Sequence, residues 1–250
     1  MKKFLFADLD DTLFQSREKC GAHAPLHPAA FLKDGSPISF TTPVQRAFFT
    51  WVQDGMTVIP ATARNLDAFQ RVDLPFTSYA VLDYGGVVLA PDRSVDAGWL
   101  ERMRDAMHAA LPGLQELAAL IDDYAARTGF AGRARVIEDF GIPFYLVLKD
   151  PGKVAARLEP FERDVVLPWL DAAGRDYYLH RNGNNLAVLP RALNKAHAVR
   201  HVMELLRDEH GDLLTFGIGD SRADAGFMAA CDYAIVPRGT QLAGLTVAAL

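Results

Sequence analysis

The chain has 250 residues, half of them hydrophobic and 23% charged, with a net charge of −5. That length buries a full core, as one large domain or as a core with an insertion, and the composition excludes collagenous, coiled-coil and disordered classes. The acidic balance and the lack of a long Lys/Arg run remove the footprint of phosphate-backbone binding, so nucleic acid is not an expected partner.

The opening Lys2-Lys3-Phe4-Leu5-Phe6-Ala7 is apolar after two positive charges, but Asp8 and Asp10 cut it too short for a signal peptide or a membrane span. Lys3–Ala7 is therefore expected to be a buried strand, and no membrane partner is expected. The stretch from Phe14 to Ser39 contains Gly21, Pro25, Pro28, Gly35 and Pro37. It is long for a connection inside a compact domain, and such loops are often functional. Cys20 and Cys231 are too few and too far apart for a disulfide framework, which fits a reducing compartment and a cytoplasmic location. Cys20, His23 and His27 lack a fourth ligand and a second close pair, so a zinc site is not expected there.

Thr42-Pro43 opens a helix that runs through Phe48, Phe49 and Val52 to Gly55, with Thr42 as cap and Pro43 in the first turn. Short apolar runs without alternation follow at Met56–Ala61 and Tyr79–Leu82, and later at Leu213–Ile218 and Tyr233–Val236; this is how strands buried on both faces of a parallel sheet read. In the middle, Trp99–Leu111 and Leu114–Ala126 read as two helices. Ala134–Glu138 and Phe144–Leu148 read as strands around Phe140-Gly141-Ile142-Pro143. A third helix over Val154–Ala172 precedes strands at Tyr177–Arg181 and Leu186–Leu189, joined by Asn182-Gly183-Asn184-Asn185. A last long helix spans Asn194–Glu209, with Ala198, Val199, Val202, Leu205 and Leu206 on one face. The expected fold is α/β, a doubly wound parallel-sheet core over 1–90 and 191–250 with an inserted α+β unit over 91–190.

Chemistry concentrates at strand ends. Asp8-Leu9-Asp10-Asp11-Thr12-Leu13 follows the first strand, and carboxylates at i and i+2 there point the same way and ask for a compensating cation. The alternative is a capped turn. Gly217-Ile218-Gly219-Asp220-Ser221-Arg222-Ala223-Asp224 ends another strand, where Asp220 and Asp224 offer oxygen ligands to a hard cation such as Mg²⁺, or cap a helix and face solvent. The same glycines do not form a dinucleotide fingerprint, because Arg222 stands where a third glycine belongs. Thr62, in Ala61-Thr62-Ala63-Arg64, and Lys195 add a hydroxyl and an ammonium of the kind that cradles a phosphoryl group, although each alone reads equally well as a cap or a solvated side chain. No Gly-x-Ser-x-Gly elbow and no Gly-x-x-x-x-Gly-Lys-Ser/Thr loop is present, so a serine esterase or a P-loop nucleotidase has no support.

Taken in order, Asp8/Asp10, Thr62, Lys195 and Asp220/Asp224 resemble the four motifs of the haloacid dehalogenase superfamily of aspartate-dependent phosphohydrolases. The insertion between the second and third motifs is similar to the larger cap of its sugar-phosphate phosphatase subgroup. The resemblance implies that Asp8 attacks phosphorus, that Asp10 is the general acid and base, and that Thr62 and Lys195 grip the phosphoryl oxygens. It also implies Mg²⁺ as cofactor, held by the Asp8 carboxylate, the Asp10 main-chain carbonyl and Asp220, with Asp224 as ligand or support. The substrate is then a small phosphorylated metabolite, a sugar phosphate above others. Arg64, Arg181, Asn184 and Asn185 are candidate substrate contacts, the last two equally explained as turn formers. Ala63 departs from the glycine common at its position, and Asp224 lacks the preceding Asn of one branch. A phosphomutase and a noncatalytic phosphate-binding module remain the alternatives, and nothing in the sequence sets the oligomeric state.

Overall fold

A computed structural model describes residues 1–22, 25–172 and 174–247. The chain divides into two compact units, Met1–Leu100 with Asn194–Leu250, and Glu101–Leu193.

The first unit opens with β1 (Lys2–Ala7), whose residues from Phe4 to Ala7 are buried, as an apolar run without alternation requires. The described part of Phe14–Ser39 contains a 3₁₀ turn, Arg17–Cys20, and contributes to an antiparallel sheet in the order β2 (Gln15–Ser16), β4 (Pro37–Thr41), β3 (His27–Phe31). His23 lies outside the described residues. Helix α1 (Pro43–Gly55) begins with a full capping box, in which Thr42 accepts from the Gln45 N–H and the Gln45 side chain accepts from the Thr42 N–H, with proline in the first turn. Strand β5 (Thr57–Pro60), the short α2 (Leu66–Phe69), β6 (Ala80–Leu82) and β7 (Val87–Leu89) follow. Helix α3 (Ala97–Thr128) then carries the chain into the second unit.

In the second unit the two expected helices are one, running through Pro112. Proline removes an N–H from the helix ladder. The Tyr177 hydroxyl donates to the Ala110 carbonyl at 2.6 Å beside that point. Gly113 makes room for it: a Cβ there would lie 2.2 Å from the same hydroxyl. The hairpin of β8 (Arg135–Asp139) and β9 (Ile142–Leu148) turns on Phe140-Gly141 alone, both with positive φ, so Ile142 and Pro143 belong to a strand and not to the turn. A bulge at Phe144, next to Pro143 on the same strand, interrupts the ladder where the proline lacks a donor. The expected helix over Val154–Ala172 is broken into a 3₁₀ turn Ala155–Leu158, α4 (Glu159–Phe161), a π turn Glu162–Val166 and α5 (Leu167–Leu170). Pro168 has no N–H to offer the Asp164 carbonyl, and the wider turn accommodates the lost bond. Strands β10 (Tyr177–Asn182) and β11 (Asn185–Pro190) complete a sheet ordered β10-β11-β9-β8. Leu114, Leu117, Ile121 and Ala125 of α3 form one buried stripe against Leu146, Leu148, Phe161, Trp169, Leu186 and Val188.

The chain returns to the first unit through α6 (Lys195–His210), β12 (Leu213–Ile218), α7 (Arg222–Met228), β13 (Tyr233–Ile235) and α8 (Gln241–Leu245). Its main sheet is parallel, in the order β13-β12-β1-β5. A parallel bridge Ala61↔Val81 leads on to the β6–β7 hairpin. The order reverses around β1, since β12 lies on one side and β5 on the other. In open α/β sheets that is where a crevice forms beyond the strand ends. The structure thus has the expected α/β class with a parallel-sheet core.

Candidate active site

Asp8 leaves β1 at that crevice, its N–H still donating to the Ile218 carbonyl at 2.9 Å. The chain then turns tightly: the Leu9 carbonyl accepts from the N–H groups of Leu13 and Phe14 at 2.9 and 3.2 Å, with Asp11 at positive φ. The turn folds Thr12 back, so that its hydroxyl donates to Asp8 Oδ2 at 3.1 Å. Thr12 was not among the residues singled out from the sequence. Its signal was a hydroxyl four positions after a buried acid in a segment dense in turn formers.

Lys195 Nζ lies 2.7 Å from Asp8 Oδ1 and 2.7 Å from Asp224 Oδ1. Two features place it. Asn194 caps α6 by accepting from the Ala196 N–H. Gly85, at φ +101°, lets the β6–β7 connection approach so closely that a Cβ would lie 2.5 Å from the Asn194 carbonyl oxygen. Asp224 sits in the first turn of α7, where its Oδ2 accepts from Ser221 N–H and Oγ at 3.0 and 2.8 Å. Gly219 clears space for it, since a Cβ there would lie 2.3 Å from the Asp224 Cβ. Asp220 is also buried, and one carboxylate oxygen from each of Asp8, Asp220 and Asp224 falls within 4.8 Å of the others. Among the described residues this is the group of acids, histidines or cysteines close enough to share an ion.

The electrostatics favour a cation. Burial raises the Asp8 pKa well above its ordinary value, Lys195 opposes that, and Asp224 and Asp220 add to it. Burial likewise lifts Asp220 to about 7, with repulsion from Asp224 and Asp11 contributing. Burial would also raise Asp224, but Lys195 and Ser221 outweigh it and hold that acid below its usual range. Lys195 is itself buried, which would discharge it, yet Asp224 and Asp8 keep it firmly an ammonium. One ammonium thus faces three carboxylates. A hard divalent cation is the ligand such oxygens suit, and Mg²⁺ fits the donor set.

The other expected residues are placed as follows. Thr62 is fully buried after β5, its N–H on the Val81 carbonyl at 2.8 Å and its hydroxyl accepting from the Arg64 N–H at 3.1 Å. The Asp10 side chain lies outside the three-acid group and is held by Arg64, whose Nε and Nη2 donate to Oδ2 and Oδ1 at 2.8 and 2.7 Å. Arg181, in the second unit, donates to the Ala155 carbonyl at 2.6 Å and pairs with Glu162 at 3.3 Å. The Asn184 amide clasps the Asp150 backbone, accepting from its N–H and donating to its carbonyl. Asn185 opens β11. Cys20 packs its thiol on the Ser16 carbonyl and His27 is exposed on β3.

Solved structures with this architecture include the Synechocystis sucrose-phosphatase in complex with sucrose and phosphate, 16% identical with a TM-score of 0.53 over 98% of this chain and 86% of that one. The C-terminal domain of C. albicans trehalose-6-phosphate phosphatase matches with a TM-score of 0.57 at 10% identity, over 92% of this chain and 73% of that one. The Plasmodium falciparum IMP-nucleotidase bound to IMP matches at 0.58 and 13%, over 94% and 64%. The chain shares their fold. No protein-family model matches the sequence, and no curated protein does. In this fold, Asp8 stands at the end of a central strand with Lys195, Asp220 and Asp224 gathered around it from α6 and the β12–α7 connection.

Proposed function

We propose that this haloacid dehalogenase-fold protein is a Mg²⁺-dependent phosphatase that hydrolyses a small phosphorylated metabolite, a sugar phosphate, through a phosphorylated Asp8. The observation that carries the reading is the state of the Asp8 carboxylate. It is buried, aimed by Thr12 on one oxygen and Lys195 on the other, and surrounded by two further acids that a divalent cation would balance. A buried carboxylate held this way is a nucleophile in a fixed orientation.

Mg²⁺ would be held by Asp8, the Asp10 carbonyl and Asp220, with Asp224 completing the acidic set, and would supply charge neutralisation at the transferring phosphoryl group. Asp8 attacks phosphorus, and the bond from phosphorus to the substrate oxygen breaks as Asp10 delivers a proton to that oxygen. Water then attacks the aspartyl phosphate, Asp10 takes its proton, and phosphate departs with the Asp8 carboxylate restored. Lys195 and Thr62 contact the phosphoryl oxygens in this scheme. Recognition of the organic part falls to the inserted unit, the cap expected from the sequence. The location expected is cytoplasmic; no helix among the described residues is long and apolar enough to cross a membrane.

The test is phosphate release from a panel of sugar phosphates and an aryl phosphate, with Mg²⁺ or EDTA, for the wild-type protein and Asp8→Asn. Release that needs Mg²⁺ and falls to background in Asp8→Asn is expected. Release that survives in Asp8→Asn would exclude the aspartyl phosphate.

A further inference from the structure

Arg64 stands two residues after Thr62, where a substrate-binding arginine is the expectation. The contacts it makes point elsewhere. Nε and Nη2 engage both oxygens of Asp10, and Nη1 donates to the Ala68 carbonyl at 3.3 Å, so each guanidinium nitrogen already has an acceptor. The guanidinium carbon lies 5.1 Å from the ring centroid of Phe14, which is itself fully buried. The backbone is held as firmly, with Arg64 N–H on the Thr62 hydroxyl at 3.1 Å and its carbonyl accepting from the Asp83 N–H at 2.9 Å. The Arg64 side chain is 15% exposed and that of Asp10 is 49% exposed, so the arginine is the anchored partner and the carboxylate the one it orients.

We propose that Arg64 is a positioning residue for Asp10 and not a ligand of the substrate phosphate. The inference rests on the phosphatase reading. Two parallel N–H···O bonds from a planar fork fix the plane of a carboxylate as well as its position, which one lysine ammonium cannot do. Arg64 therefore acts on the leaving-group oxygen through Asp10. Its loss should hurt esters in proportion to how much their leaving group needs a proton.

The measurement is kcat/KM for 4-nitrophenyl phosphate and for phenyl phosphate, with wild type, Arg64→Met and Arg64→Lys. Both esters present the same phosphoryl group, but phenol, with a pKa of about 10, leaves far less readily without a proton than the more acidic nitrophenol. Positioning predicts that the ratio of the two kcat/KM values rises by about tenfold or more in Arg64→Met, and that Arg64→Lys restores it only in part. A lost phosphate contact or a general loosening of the fold lowers both constants by one factor. An unchanged ratio therefore overturns the proposal, whatever the absolute loss. Should Arg64→Met not fold, the ratio in Arg64→Lys decides in the same way. Wild-type protein that turns over neither ester would count against the phosphatase reading itself. Wild-type turnover with an unchanged ratio in the variants would count against Arg64 alone.

Discussion

Lys195 and Asp220 are opposite cases of a buried charge. Lys195 is 4% exposed and lies between two carboxylates, so Lys195→Met leaves Asp8 and Asp224 facing each other without a cation. Breaking a buried pair by removing one partner costs about 3–5 kcal/mol. The variant should melt well below wild type, and Mg²⁺ should recover part of the difference; a melting point unchanged by the substitution would mean that Lys195 is not paired as described. Asp220 gains less from Lys195 than burial and the neighbouring acids cost it, and its pKa is lifted from 3.8 to about 7. A group whose folded pKa is raised contributes stability that is present below about pH 4 and lost as pH rises through 7. Asp220→Asn has no proton to lose. In metal-free protein its stability relative to wild type should increase from pH 5 to pH 8, measured by urea melts in EDTA, and a flat difference would contradict the shift. Asp8 and Asp10 stand out in the sequence because two acids directly after an apolar strand have few structural uses. Arg64 was legible only as a residue near Thr62: its partner lies 54 positions away, and no local pattern announces that pairing.

At the level of elements, the site depends on glycines that allow backbone to approach backbone. Gly85→Ala places a side chain at φ +101° and drives its Cβ into the Asn194 carbonyl at the start of α6. The strained backbone alone costs about 1–3 kcal/mol. Because the collision falls one residue before Lys195, activity should drop more than stability does. Gly129→Ala, at φ +68° with open space around it, provides the comparison: it should cost stability without a comparable loss of kcat. Equal activity loss in both would separate Gly85 from the placement of Lys195. The same level shows where periodicity misleads. Pro112 reads as a helix boundary, but α3 runs on through it, with the Tyr177 hydroxyl packed over Gly113 beside that point. Pro168 sits inside a stretch that reads as one helix and yields a π turn instead. A proline removes one bond of the helix ladder, and whether the helix continues past it depends on packing from elsewhere in the chain.

For the molecule as a whole, a cation bound only by the folded state should stabilise it by mass action, about 2.7 kcal/mol at a concentration 100-fold above Kd. If Asp220 is a ligand as proposed, Mg²⁺ would also displace the proton from it, since its pKa is lifted to about 7. Its apparent affinity, followed by calorimetry or by the melting shift of Asp10→Asn protein, should therefore fall about tenfold between pH 8 and pH 6. No dependence on pH would mean that Asp220 is not a ligand. The parallel core strands and the capped helix α1 could be read from the sequence, because buried strands and caps are set by neighbours within a few positions. It takes the tertiary structure to bring Asp8, Lys195, Asp220 and Asp224 together, to keep the Asp10 side chain outside that group in the grip of Arg64, and to join Gln15–Ser16, His27–Phe31 and Pro37–Thr41 in one sheet. Those outcomes rest on a strand order that reverses at β1 and on contacts between segments as many as 187 residues apart, where local propensity carries no information.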